Sequence, residues 1–324
     1  MSSTCSFSPT SPAGHISGSS RDASTPAVGV FGKSVMVYYR IFLVLILIHI
    51  VLANTSGNLN RRAPREECST PFSQNQRDVI KQALENANVN IRRRQSIPSF
   101  VFDVYFNVIA ANLSYVGGWV PDSQIVSQMT VLNDGYKGTG ISFKYKGTTR
   151  ILSSWYFNQI DVANTDGLEA LLSGYGNIFR KGDAKTLNIN LIGFSSDDEI
   201  DGFALLPSLY ANYPQLDGIY VRYTTLPGGS SLYRQGSTVI HEVGHWLGLL
   251  HTFQDGCTGE GDDIADTPPE AEPASGCPTG RDTCPGGGDD PIHNFMDYSA
   301  EGCRNSFTAG QATRMHQTIL VYRS

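Results

Sequence analysis

The chain has 324 residues, 33 glycines, six cysteines and a formal charge of −6, with only 17% of residues charged. That length accommodates one large domain or two small ones. A mildly acidic balance with no basic patch excludes a nucleic-acid-binding surface, so no nucleic-acid partner is expected.

Residues 1–35 are rich in Ser, Thr, Gly and Pro and are predicted to be disordered. The apolar run Ile41–Leu52 has 12 residues, short of the ~20 that a membrane-crossing helix needs. Tyr38, Tyr39 and Arg40 precede it, and Val51-Leu52-Ala53 follows as a cleavage site. Residues 1–53 therefore read as a leader plus a secretory signal ending at Ala53. Translation from Met36 would give a signal of 18 residues, 36 to 53. Secretion is expected, with membrane attachment only if the 41–52 segment is retained.

Residues 54–97 read as a propeptide. They hold two basic processing sites, Arg61-Arg62 and Arg92-Arg93-Arg94. Between them, Gln74–Asn90 is predicted to be helical, with Val79, Ile80 and Leu84 sharing one face. Residues 98–324 then form the third segment. It opens with a strand at Phe100–Ile109, rich in β-branched and aromatic residues. A helix over 122–134 follows, capped by Asp122 or Ser123 and buried through Ile125, Met129 and Leu132. Strands are predicted at Ile141–Tyr145, Arg150–Tyr156, Leu187–Phe194 and Gly218–Tyr223, the last as a sheet edge. Thr308 and Gln311 form a capping box for a final helix ending near Tyr322. Strands and helices mix without βαβ alternation, so the fold class is α+β, with a twisted mixed sheet. Asn112-Leu113-Ser114 is a glycosylation sequon.

The densest chemistry lies at 241–251, His-Glu-Val-Gly-His-Trp-Leu-Gly-Leu-Leu-His. On a helix, His241 and His245 stand one turn apart on one face and can grip one metal ion. Glu242 lies beside them as a base toward a metal-held water. On an unbroken helix, His251 would lie ~9 Å beyond His245 at ~1.5 Å per residue. The chain must turn back first, and Gly248 sits where glycine commonly ends helices. Three histidine ligands leave a fourth zinc position open, which is the pattern of catalytic rather than structural zinc.

The full His-Glu-x-x-His-x-x-Gly-x-x-His pattern resembles the metzincin zinc peptidases. Downstream, Gly261-Asp262-Asp263-Ile264-Ala265-Asp266-Thr267-Pro268 and Asn294-Phe295-Met296-Asp297-Tyr298-Ser299 narrow the resemblance to the pappalysin family, nearest its secreted fungal metalloproteases. The resemblance implies a metzincin-like zincin domain over 98–324, with a zinc-binding active-site helix and a C-terminal helix. It implies one catalytic zinc on His241, His245 and His251, and a monomer acting on extended peptide or protein substrates. Met296 would form an apolar floor beneath the imidazoles, and Tyr298 would donate a hydrogen bond to the oxyanion. Glu301, just past this turn, would bring a carboxylate to the primed-side pocket and favour basic residues. A secreted zinc amidase acting on a non-protein substrate and a catalytically silent zinc-binding module are the competing classes. Clearance of casein or gelatin separates the first, and the intact Glu242 argues against the second.

Cys257, Cys277, Cys284 and Cys303 should form two disulfides in an oxidising compartment, and four cysteines allow three connectivities. The resemblance implies Cys257–Cys284 with Cys277–Cys303, each closing about 27 residues and worth ~3 kcal/mol. Cys68 is left over, a candidate latency thiol whose thiolate would occupy the open zinc position. Between Asp255 and Asp290 stand ten acidic side chains and one basic one. Asp262, Asp263, Asp266 and Thr267 offer closely spaced oxygens, and related pappalysins bind calcium in this segment, so a calcium site is expected there.

Overall fold

A computed structural model of the chain describes residues 74–91, 99–160, 174–194, 200–229 and 235–324. The 41–52 run, Met36, Cys68 and both basic clusters lie outside the described residues. Among the described residues, no helix is long and apolar enough to cross a membrane.

Strict alternation in β1 (Phe100–Ala110) sends Phe102, Val104, Phe106 and Val108 to one side of the sheet. That face meets three helices. α2 (Asp122–Gly135) contributes Ile125, Met129 and Leu132, the expected stripe. α5 (Ser237–Trp246) contributes Val239, Ile240, Val243 and Trp246, and α6 (Ala309–Tyr322) contributes Met315 and Ile319. The opposite face packs a second cluster that includes Ile109, Phe157, Tyr175, Ile192, Phe203 and Tyr220, with Phe179 of the short helix α4 (Gly176–Phe179) against it. β3 (Thr186–Ile192) is buried throughout, as expected of a central parallel strand. Its polar Asn190 is satisfied internally, accepting from Asn107 Nδ2 at 2.9 Å and from the Tyr175 hydroxyl at 2.8 Å.

The sheet runs β2-β1-β3-β5-β4, where β2 is Ile141–Leu152, β4 is Gly202–Ala204 and β5 is Ile219–Arg222. All pairs are parallel except β4 with β5. Two expectations change here. The predicted strands Ile141–Tyr145 and Arg150–Tyr156 are one strand, because the register shifts between Val104 and Tyr105 where β2 passes over Lys146, and pairing then continues. Beyond Leu152 the chain turns into helix α3 (Ser154–Gln159), capped by the Ser153 hydroxyl accepting from Tyr156 N. The sheet edge, moreover, is β4 and not the Gly218–Tyr223 segment, which pairs on both sides. A three-residue strand carries too little periodicity to be read from sequence.

The caps divide similarly. Thr308 and Gln311 close a complete capping box on α6. α2 begins after Pro121 with no side-chain cap, and Asp122 pairs with Arg150 instead. α1 (Gln74–Ile91) belongs to the same unit as the sheet. It buries Ile80 and Leu84, whereas Val79 is 51% exposed and faces away. Arg77 takes the third place on the buried face, one turn before Ile80. Asn112 is exposed on the turn after β1, its Oδ1 accepting from Ser114 N at 2.9 Å.

A guanidinium anchors the C-terminus behind the active-site helix. Arg323 stacks over the Trp246 ring at 3.4 Å from its centroid and donates to the Trp246 carbonyl at 3.1 Å. It also grips buried Asp217 through two nitrogens, at 3.0 and 3.1 Å. Asp217 further accepts from Trp246 Nε1 at 3.0 Å and from Arg180 at 3.2 Å.

Candidate active site

α5 carries His241, Glu242 and His245, all buried. Its C-terminus is a Schellman motif. Leu249 N donates to Gly244 O at 2.9 Å, Gly248 N donates to His245 O at 2.9 Å, and Gly248 takes φ +88°. The reversal predicted at Gly248 thus swings His251 back toward the helix. Gly248 also packs against Thr318 of α6, where an added Cβ would meet Oγ1 at 2.6 Å.

The three imidazoles converge through Nε2. His245 Nε2 lies 3.1 Å from His241 Nε2 and 3.0 Å from His251 Nε2. His241 Nδ1 donates to Phe295 O at 2.7 Å, and His245 Nδ1 donates to Leu249 O at 2.8 Å. A carbonyl only accepts, so the proton of each of these two rings sits on Nδ1 and each Nε2 presents a lone pair. Lone pairs facing each other at this distance repel unless a cation joins them. A tetrahedral ion with ~2.0–2.1 Å bonds sets its nitrogens ~3.3 Å apart, close to what is observed. Burial holds all three rings neutral, the state that ligates metal. It pushes His245 down to about 4. His241 and His251 sit well below the usual histidine range, first through burial and then through charge repulsion from His245, to which His251 and Arg304 add for His241. The residues therefore fit a metal ion.

The methionine turn builds the floor. Phe295 supplies the carbonyl that orients His241, and Met296 is fully buried beneath Gly244. A Cβ on Gly244 would meet the Met296 sulfur at 2.4 Å, so only glycine lets helix and turn approach this closely. Asn294 and Gln311 exchange two hydrogen bonds, at 2.8 and 3.0 Å, which ties the turn to the start of α6. The Tyr298 hydroxyl lies 3.2 Å from His251 Nε2.

Three features escaped the sequence reading. Phe253 stacks on His251 with planes 9° apart and meets the Tyr298 ring edge-on. Its place two residues after a ligand was the available signal. Gly202, on edge strand β4, faces Glu242, and nothing in the sequence marks it. A Cβ there would stand 2.9 Å from Glu242 Oε1 and 3.0 Å from its Cγ. Gly202→Ala should therefore displace the carboxylate and lower kcat by roughly 10–100-fold while zinc content stays unchanged. Steady-state kinetics alongside elemental analysis check this, and an unaltered kcat would show that the carboxylate has room to spare.

The third feature corrects the expectation for Glu301. Its carboxylate accepts from the backbone N–H groups of Gln235 and Ser237 and from the Thr238 hydroxyl, the last at 2.8 Å. Gly236 offers α5 no side-chain cap. Glu301 supplies it from across the turn, placing negative charge at the positive helix end. A carboxylate held this way is not presented to a substrate.

The acidic segment is arranged around protein partners. Asp263 pairs with Arg77, Asp266 accepts from Gly310 N at 2.8 Å, and Asp262 accepts from Ile264 N at 3.0 Å with Thr267 beside it. Among the described residues, the groupings of three with metal-ligating reach are the histidine trio and Cys277, His293 and Cys303. In the second, the two sulfurs are already joined to each other in one disulfide. The disulfides are Cys257–Cys284 and Cys277–Cys303, as the resemblance implies.

Comparison with known proteins agrees with this geometry. Residues 190–320 match the Peptidase_M43 family model, described as Pregnancy-associated plasma protein-A. An extracellular metalloprotease of Sordaria macrospora is 44% identical over 228 residues, covering 68% of this chain and 75% of its own. Another, of Verticillium alfalfae, is 37% identical over 285 residues, covering 83% and 94%. Among solved structures, mirolysin in complex with compound 9 superposes with a TM-score of 0.57 at 26% identity, covering 68% of this chain and 92% of its own. A Tannerella forsythia promirolysin mutant superposes with a TM-score of 0.62 at 25% identity, covering 79% and 95%. With a zincin fold, a metal-ready histidine trio and relatives this similar, the chain belongs to the pappalysin family of metzincin peptidases and is a metalloendopeptidase.

Proposed function

We propose that the chain is secreted, sheds residues 1–53 and then 54–97, and hydrolyses extended peptide segments as a zinc endopeptidase with Glu242 as its general base. The observation that carries this reading is the meeting of three neutral imidazole nitrogens beside the buried Glu242 carboxylate. His241, His245 and His251 would hold a zinc ion, which when bound would supply a Lewis acid for the scissile carbonyl and lower the pKa of a water toward ~7.

Glu242 takes the proton of the attacking water on its carboxylate and passes it to the leaving amine. Close packing of Gly202 against that carboxylate limits its positions, which keeps the base aligned. The Tyr298 hydroxyl, beside His251, donates a hydrogen bond to the developing oxyanion. Phe253, in contact with both the His251 and Tyr298 rings, holds them in place. Edge strand β4 offers its outer side to a substrate strand by β-augmentation.

Three observations support the secreted, processed form. The relatives are named extracellular metalloproteases, and the disulfides suit an oxidising compartment. The promirolysin match spans 79% of this chain, against 68% for mirolysin with compound 9, so a pro-form relative shares more of its length.

The test is mass spectrometry of peptides cut by the purified secreted protein, with and without a zinc chelator. Cleavage should stop when zinc is stripped and return when about one equivalent is restored. Cleavage that survives full removal of zinc, or a zinc-loaded mature protein that cuts no peptide, would overturn the proposal.

A further inference from the structure

The acidic loop after His251 already holds a ligand, and that ligand comes from α1. Arg77 is 3% exposed. Its Nε and Nη2 donate to the two oxygens of Asp263, both at 2.9 Å. Nη2 also donates to the Gly261 carbonyl at 2.6 Å, and Nη1 donates to Asp255. Four of the five guanidinium N–H groups are thereby satisfied. The fork-on-fork pairing with Asp263 is the strong, geometrically selective form of this contact.

The walls of this socket are fixed independently of Arg77. Cys257–Cys284 ties the loop down between Asp255 and Asp263. Arg314 of α6 donates to the Asp263 carbonyl at 3.1 Å. Asp255 and Asp263 both adopt left-handed backbone, at φ 59° and 63°. Non-glycine residues keep that conformation where their surroundings impose it. Around the rim, Lys81 pairs with Glu260 at 2.9 Å, and Ile80 and Leu84 bury their side chains on the same face of α1. That face packs against α6 and the 3-10 turn at Pro207–Leu209. The contacts thus join one desolvated guanidinium to buried apolar side chains, with an exposed ion pair at the rim, and a buried arginine of this kind is a typical hot spot of a specific interface.

We infer that loop 255–263 is a guanidinium socket that retains α1 on the catalytic domain after the chain is cut between them, Arg77 being the anchor. This rests on the reading of 54–97 as a removable segment. Shedding of 54–97 would then need two events: scission near Arg92-Arg93-Arg94, and release of Arg77 from Asp255 and Asp263.

The test uses the full chain with a site-specific protease sequence replacing Arg92-Arg93-Arg94. After cutting, the fragment bearing α1 should co-elute with the catalytic domain in gel filtration. Arg77→Ala should weaken retention by about 30-fold or more, since it strips the partner from the buried Asp263 carboxylate. Asp263→Asn should do the same from the other side. Arg77→Lys, a point charge without the fork, should fall between. Intact disulfides and peptide hydrolysis by the separated domain confirm that each variant folds. A wild-type fragment that leaves as soon as the chain is cut overturns the inference. So does a fragment that stays bound in both Arg77→Ala and Asp263→Asn. Peptide hydrolysis is measured separately on the same samples, so failure of the protease reading is distinguishable from failure of the socket.

Discussion

Glu242→Gln should leave the protein folded and loaded with zinc while lowering kcat by about 10²–10⁴-fold. The amide preserves shape and polarity inside the packed space under Gly202 but cannot accept the water proton. Zinc should remain because the three imidazoles, not Glu242, converge on the metal position. The measurement is kcat on one peptide substrate beside zinc stoichiometry by elemental analysis. Turnover within a few-fold of wild type at full zinc occupancy would remove Glu242 from the base role. Tyr298→Phe separates the two polar roles. Loss of an oxyanion donor should cost about 10²–10³-fold in kcat, again with zinc retained.

The second large effect concerns stability. Asp217→Ala should destabilise the fold by about 3–5 kcal/mol, because it strands a buried cation. Arg323 is fully buried and has no other carboxylate within ion-pair reach among the described residues. Arg180 loses the same partner. The affected contacts include the Trp246 indole at the last residue of α5, so damage should spread to the end of the metal-binding helix. Chemical denaturation of the zinc-loaded protein checks this by the shift of the midpoint. Arg323→Met, which keeps bulk and still leaves Asp217 with Arg180, should cost less. Equal, small shifts for both variants would mean that the pair is replaceable by packing alone.

What could be read along the chain was local. His241 and His245 face together because a helix repeats every 3.6 residues, and Gly248 ends that helix because glycine accepts φ +88°. The Thr308–Gln311 capping box and the Ile125, Met129, Leu132 stripe belong to the same class. So did the face of α1, apart from Val79. Hydrophobicity alone turns Val79 inward, but Arg77 takes that place on the face and leaves Val79 exposed. The bridges were open to three pairings, and resemblance chose among them correctly.

The reaction class is written locally, because three imidazoles, a carboxylate and one glycine achieve their geometry within a few residues of each other. What surrounds them depends on how distant elements pack. That packing made β4 rather than β5 the sheet edge and turned Glu301 from a candidate pocket residue into the cap of α5. It seated Arg77 on Asp263 and locked Arg323 onto Asp217, contacts that span 186 and 106 residues. A charge seeks whichever opposite charge the packing of apolar faces brings within reach, and that depends on how distant elements stack rather than on the spacing of neighbours along the chain.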